Sequence, residues 1–363
     1  MKKIKLRSKE WFDNPKDPGL TALYLERYLN YGLKRKDLQS GKPIIGIAQS
    51  GSDLSPCNRH ILDLSKNIKK GILNAGGVPM EFPTHPIQET GKRPTAALDR
   101  NLSYLSLVEV LYGYPLDGVV LTTGCDKTTP AALMAAATVN IPSIILSGGP
   151  MLDGHYKGQK AGSGTIIWEA RKLYSKGEID YDQFMDMATA SSPSVGHCNT
   201  MGTASTMNSI AEALGMSLPG CAIIPAPYPE RKKISYKTGQ RIVNMVRENL
   251  TPSKIMTKKA FENAVVVASA IGGSSNATTH LLAIAKHMGI KFDLSNWQKL
   301  GHKIPLLVDC QPAGKYLMEG FYKAGGVPAV MKELIKNKKL NIKVKTVTGK
   351  NLGQNIKGKI KVN

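Results

Sequence analysis

The stretch D-G-V-V-L-T-T-G-C-D-K-T-T-P-A-A (residues 117–132) reads as a short apolar strand, a tight turn and the start of an Ala/Met-rich helix. The turn sets a thiol, a carboxylate and an amine side by side at Cys125, Asp126 and Lys127. The same punctuation recurs upstream. P-I-I-G-I-A (43–48) reads as a buried strand, and a polar Gly/Ser loop then leads to Cys57. From Arg59 to Ala75 the apolar residues fall at helical spacing (Ile61, Leu64, Ile68, Ile72) and stop at Gly76-Gly77. A short strand over 78–82, a helix over 95–112, a strand over 117–122, a helix over 130–138 and a strand over 141–147 follow. Strands alternating with helices predict an α/β fold with a mostly parallel sheet flanked by helices. Loops at the carboxyl ends of such strands collect functional groups, and Cys57 and Cys125 both lie in loops of that kind.

Beyond residue 165 the pattern turns helical, over 165–175, 181–189, 202–214, 237–249, 257–269, 277–288 and 327–336. A late apolar run, I-P-L-L-V-D (304–309), predicts one more strand. There is no internal repeat and no low-complexity linker that would cut the chain in two.

The 363 residues are 42% hydrophobic and 21% charged, the balance of a globular protein. No apolar run approaches the ~20 residues of a membrane helix. The basic start has no apolar core or cleavage site of a signal peptide, so a cytoplasmic location with no membrane partner is expected. The net charge of +22 raises nucleic acid as a partner, with ten Lys against one Glu in residues 332–363. Those lysines carry no interleaved aromatics and no zinc-finger or helix-turn-helix pattern, so no nucleic-acid partner is expected; the plain reading is a Lys-rich bias with a solvated tail, whose positive field would suit anionic substrates.

Five widely spaced cysteines (57, 125, 198, 221 and 310) exclude a disulfide framework. Cys221 and Cys310 adjoin apolar runs and read as packing residues. Cys57, Cys125 and Cys198 sit in polar Gly- or Pro-bearing loops, each roughly 70 residues from the next. Spacing leaves two readings of them open, inert buried thiols or a shared metal site. Beside Cys125, the carboxylate of Asp126 would suit a hard cation, and the loop carboxylate of Glu89 is a second candidate. Lys127 can ligate a cation only if neutralised or carbamylated; otherwise it is an ion-pair partner. His197 beside Cys198 reads as a structural histidine. No P-loop, dinucleotide fingerprint or nucleophile elbow is present.

C-D-K-T-T-P-A (125–131) resembles the signature of the dihydroxy-acid/phosphogluconate dehydratase family. So do L-S-G-G-P-M-L-D-G (146–154), G-H-C-N-T-M-G-T-A-S-T-M-N (196–208), G-G-S-S-N-A (272–277) and L-V-D-C-Q-P-A-G-K-Y-L (307–317). Five blocks in order cover the chain from about residue 40 to about 355. The segment H-P-I-Q-E-T-G-K-R-P-T (85–95) is similar to the sugar-acid branch, which acts on aldonic acids such as D-xylonate.

The resemblance implies that Cys57, Cys125 and Cys198 hold an iron–sulfur cluster, [2Fe-2S] in most members. It implies that Glu89, Asp126 and a carbamylated Lys127 bind Mg²⁺. It also implies dehydration of a sugar acid to its 2-keto-3-deoxy acid, with branched 2,3-dihydroxy acids or phosphogluconate as alternative substrates. Family members add a C-terminal β-rich domain that supplies a base serine, and no such segment is found in this sequence. The expectation is therefore an N-terminal portion: an extension over 1–40, the cluster- and Mg²⁺-bearing domain over 41–355, and a Lys-rich tail over 356–363. A homo-oligomer (dimer or tetramer), a complementary C-terminal chain, or an inactive metal-binding fragment all fit that expectation.

Overall fold

The computed structural model describes residues 5–92 and 94–357; the end of the Lys-rich tail, 358–363, lies outside the described residues. Four strands, β1 (Ile44–Gln49), β2 (Val78–Pro83), β3 (Gly118–Thr123) and β4 (Ser143–Ser147), form one parallel sheet in the order β2-β1-β3-β4. β1, β3 and β4 are buried along their whole length, which is why they read as continuous apolar runs rather than alternating ones. β2 is the edge and is only partly covered.

The helices that build the site are α1 (Ile61–Asn74), α2 (Ala97–Gly113), α3 (Thr128–Val139), α4 (Thr203–Ala213), α5 (Pro229–Arg247), α6 (Lys258–Ala270) and α7 (Asn276–His287). α1 pairs with α5 and α2 with α3, so the sheet lies between two helical layers. α3 is further covered by α4 and α7. Because β1 lies between β2 and β3, the chain reverses direction of winding at the β1/β3 boundary. That is the topological switch point where α/β sheets open a crevice at their carboxyl edge. The loops after β1 and β3 carry Cys57 and Cys125. No helix among the described residues is long and apolar enough to cross a membrane.

The α/β half agrees with the sequence reading to within two or three residues at every element. Two differences have physical causes. α5 starts at Pro229, well before the expected residue 237, because proline is favoured in the first turn of a helix. Its early, polar-looking turns are also held by Arg231, fully buried and donating to the carbonyls of Ser147, Cys221 and Ile224. The strand expected over 304–309 is absent. Among the described residues no strand pairs with it; Leu307 N instead donates to Ala270 O at the end of α6, and Leu306 is exposed. Period alone cannot supply a partner strand.

α1 and α5 cross at two glycines. A Cβ at Gly71 would run into the Tyr236 carbonyl oxygen, and one at Gly239 into the Ile68 carbonyl oxygen. Gly239→Ala gains about 1 kcal/mol of helix propensity but forces two backbones apart. We expect a net loss of about 2 kcal/mol or more, read by denaturant unfolding.

Glu212, buried near the end of α4, accepts from Gly220 N (2.6 Å) and Ala222 N (2.9 Å). Burial pushes its carboxyl up to about 7. A raised folded-state value means that its contribution to stability is full below its ordinary value of 4.5 and is lost as pH rises through about 7. Between pH 4.5 and 8, the stability of the wild type relative to Glu212→Gln should fall by about 3 kcal/mol in denaturant titrations.

Candidate active site

The β1 loop turns through a 3₁₀ segment, Pro56–Asn58, that carries Cys57. The buried side chain of Asn58 accepts from Cys125 N at 2.8 Å and donates to Ser50 Oγ at 3.2 Å, fastening the Cys57 loop to the Cys125 loop. The two loops approach so closely that a Cβ on Gly124 would collide with Asn58 Oδ1. Thr128 closes the turn, accepting from Gly124 N and donating to Cys125 O at 2.7 Å. Cys125 and Asp126 thus stand just before the N-terminus of α3, where the helix dipole favours negative charge.

Asn208 makes the second fastening. Buried on α4, it donates to Gly124 O (3.2 Å) and Ala204 O (3.0 Å), faces His197 Nε2 at 3.3 Å, and accepts from Thr123 and Thr129. His197 is fully buried, and its Nδ1 faces Cys198 O at 3.1 Å, so it orients the Cys198 backbone rather than the thiol. Burial drives its imidazole down to about 3. The structural reading of His197 therefore agrees with its contacts.

The three loops bring Cys57, Cys125 and Cys198 into one neighbourhood. The neighbouring Cys125 thiol, together with Gln88 Nε2 (3.2 Å from the Cys57 sulfur), lowers Cys57 to about 7. The neighbouring Cys57, then burial, raises Cys125. Burial, and next the charge of Cys57, push Cys198 up to about 11; Ser163 Oγ lies 3.4 Å from its sulfur. Cys221 and Cys310 are also buried, Cys221 against Arg231 and Cys310 near Leu317 O.

Beside the thiols lies a charged triad. Lys127, almost wholly buried, places Nζ 2.9 Å from Glu89 Oε2 and 3.3 Å from Asp126 Oδ2. Glu89 also accepts from Thr95 Oγ1 (2.7 Å) and Ala96 N (3.1 Å) at the head of α2. Burial works to raise the Glu89 carboxyl, but the bonds from Thr95 and Lys127 leave it below its usual range. Burial dominates at Asp126 and raises it, partly offset by Lys127. Asp126 Oδ1 lies 3.8 Å from the Cys125 sulfur, so the thiol group and the triad adjoin.

Among the described residues, no three His, Cys, Asp or Glu side chains converge tightly enough to hold one metal ion between them. A two-iron cluster spreads its ligands over two irons, and three neighbouring thiols are the soft donor set that suits iron–sulfur chemistry. Two carboxylates flanking a lysine amine are a hard, oxygen-rich set for Mg²⁺ once that amine is carbamylated. By donor chemistry the residues fit both groups.

Asn58, Asn208, Gln88 and His280 were not singled out from the sequence. No local signal marks Asn208, which stands among other polar residues in T-A-S-T-M-N-S-I-A. His280 on α7 is buried, and burial, then the charge of Arg100, lower its imidazole to about 3.

Residues 42–355 match the family model described as dihydroxy-acid/6-phosphogluconate dehydratase N-terminal. The chain belongs to this dehydratase family. It is 59% identical over 355 residues to a D-xylonate dehydratase of Caulobacter vibrioides, covering 98% of this chain and 60% of that relative. It is 45% identical over 353 residues to an L-arabinonate dehydratase of Rhizobium leguminosarum bv. trifolii, covering 97% and 60%. A dihydroxy-acid dehydratase of Halothermothrix orenii is 39% identical over 331 residues, covering 90% and 59%. The chain thus spans about 60% of the length of these curated relatives.

Proposed function

We propose that this dehydratase-family chain carries the cluster and metal site of a sugar-acid hydro-lyase that converts a pentonate such as D-xylonate to its 2-keto-3-deoxy acid. The observation that carries this reading is the adjacency of the thiol trio, with Cys125 buried, to the Glu89–Lys127–Asp126 triad at the sheet's switch point. In this reading Cys57, Cys125 and Cys198 hold the iron–sulfur cluster, and Glu89, Asp126 and carbamylated Lys127 hold Mg²⁺. When bound, Mg²⁺ supplies a Lewis acid for the acid's carboxylate and 2-hydroxyl oxygens, and the cluster one for the departing 3-hydroxyl.

The chain's own residues do the positioning. Asn58 and Asn208 hold the thiol loops in register, Thr95 and Ala96 N aim the Glu89 carboxylate, and the dipole of α3 favours anionic Asp126. The Cα proton is assigned to none of these groups, because both carboxylates engage Lys127. The positive net charge favours an anionic sugar acid over a neutral sugar. The working assembly is a homo-oligomer or a complex with a complementary chain, in the cytoplasm.

A substrate panel tests the proposal. The iron-loaded protein with Mg²⁺, with a C-terminal dehydratase domain supplied in trans, is offered D-xylonate, L-arabinonate, phosphogluconate and a branched 2,3-dihydroxy acid, and 2-keto acid is followed. Preference for a pentonate is expected. Turnover of the branched acid with none of the sugar acids would sink the sugar-acid assignment.

A further inference from the structure

Three features around Lys127 belong to a single run of contacts. Glu89, its ion-pair partner, accepts from Ala96 N, and Arg100 N closes the next turn of the chain on Ala96 O. The side chain of Arg100 then places Nη1 3.0 Å from His280 Nδ1. His280 lies on α7, which packs against α3, the helix that Lys127 begins. The charges of both Lys127 and Glu89 act on the His280 ring.

The protonation of that ring follows from hydrogen-bond chemistry. A guanidinium only donates, so His280 Nδ1 must accept from Arg100. A neutral imidazole that accepts at Nδ1 carries its proton at Nε2. Only 4% of His280 is exposed, and its Nε2 is buried without a hydrogen-bond partner. An unpaired buried N–H costs on the order of 1–3 kcal/mol, so an acceptor there would be strongly favoured. In the adjacent triad Lys127 Nζ donates to Glu89 and Asp126 and offers no acceptor.

We infer that the His280 Nε2–H is a neutral hydrogen-bond donor for a carboxylate-type oxygen arriving at the Lys127 end of the site. This inference rests on the proposed function. It supplies two sources for that oxygen: the carbamate of Lys127, formed when its neutral amine adds CO₂ and releases one proton, or the carboxylate of the sugar acid. His280 is a positioning residue, and Arg100 sets its tautomer from behind.

The test uses the full chain with Mg²⁺ and two readouts besides turnover. Carbamate occupancy is followed by ¹³C NMR during titration with ¹³C-bicarbonate, and D-xylonate affinity by calorimetry. His280→Leu should weaken one of them tenfold or more. His280→Gln, which keeps an N–H at similar reach, should restore most of the loss. A weaker carbamate identifies Lys127 as the source of the acceptor; an intact carbamate with weaker D-xylonate binding identifies the substrate. Arg100→Leu, which releases the tautomer, should weaken the same readout several-fold and decides the matter where His280→Leu does not fold. Both readouts unchanged in the folded variants would overturn the inference while leaving the proposed function standing. A wild-type chain showing neither carbamate nor D-xylonate binding would overturn both.

Discussion

Replacing Lys127 with methionine is expected to remove Mg²⁺-dependent turnover and to reverse how the protein responds to acid. In the wild type the Lys127 ammonium sits between Glu89 and Asp126, and Glu89 is held below its usual range. A lowered carboxylate contributes stability above its unfolded value, and that stability is lost as pH falls through the folded value. Methionine keeps the length of the side chain but leaves two carboxylates facing each other without a cation. Breaking a buried pair costs about 3–5 kcal/mol when the remaining charge is fully enclosed. Glu89 keeps some solvent contact, so about 2 kcal/mol at pH 7 is the expected loss. In Lys127→Met, acidification towards pH 5 should then restore stability, because protonation relieves the repulsion.

Lys127→Arg separates the two roles. It retains the cation and most of the stability, yet it cannot be carbamylated, and Mg²⁺-dependent turnover should still fall by more than the ~10–100-fold that follows loss of a second-shell partner. Denaturant unfolding at pH 5 and 7, with Mg²⁺ titrations of activity, checks both variants. Full turnover in Lys127→Arg would remove carbamylation from the proposal.

Cys125→Ala is expected to lose nearly all bound iron while keeping its fold. Removing one buried sulfur leaves a small cavity, on the order of 1 kcal/mol. The backbone bond from residue 125 N to Asn58 is unaffected by the change of side chain. Cys221→Ala and Cys310→Ala are the controls: their thiols are equally buried, but they lie outside the trio and should keep their iron. Iron analysis beside far-ultraviolet circular dichroism reads this directly. Equal iron loss in all three variants would point to general loosening of the core rather than to a ligand at Cys125.

The α/β frame was legible because it rests on local signals. Buried parallel strands write themselves as apolar runs, and Gly76-Gly77 or Gly124 mark where the chain turns. The thiols and the triad were legible as residues, through the motif blocks and the crowding of Cys125, Asp126 and Lys127. Their mutual placement was not, because it depends on side chains that reach across the sheet. Asn58 meets Cys125 through strand order, and Asn208 meets Gly124 through the packing of α4 on α3. No period of 2 or 3.6 residues encodes such a bond. The run 304–309 failed in the opposite sense: its composition is that of a strand, but a strand exists only where a neighbour can pair with it.

Anaerobic reconstitution of the unaltered chain, followed by iron and acid-labile sulfide analysis and a visible spectrum, addresses the thiol trio most directly. The expected result is a coloured protein with about two iron and two sulfide per chain, the content of a [2Fe-2S] cluster. A folded chain with Cys57, Cys125 and Cys198 reduced, yet colourless and free of iron, would contradict it.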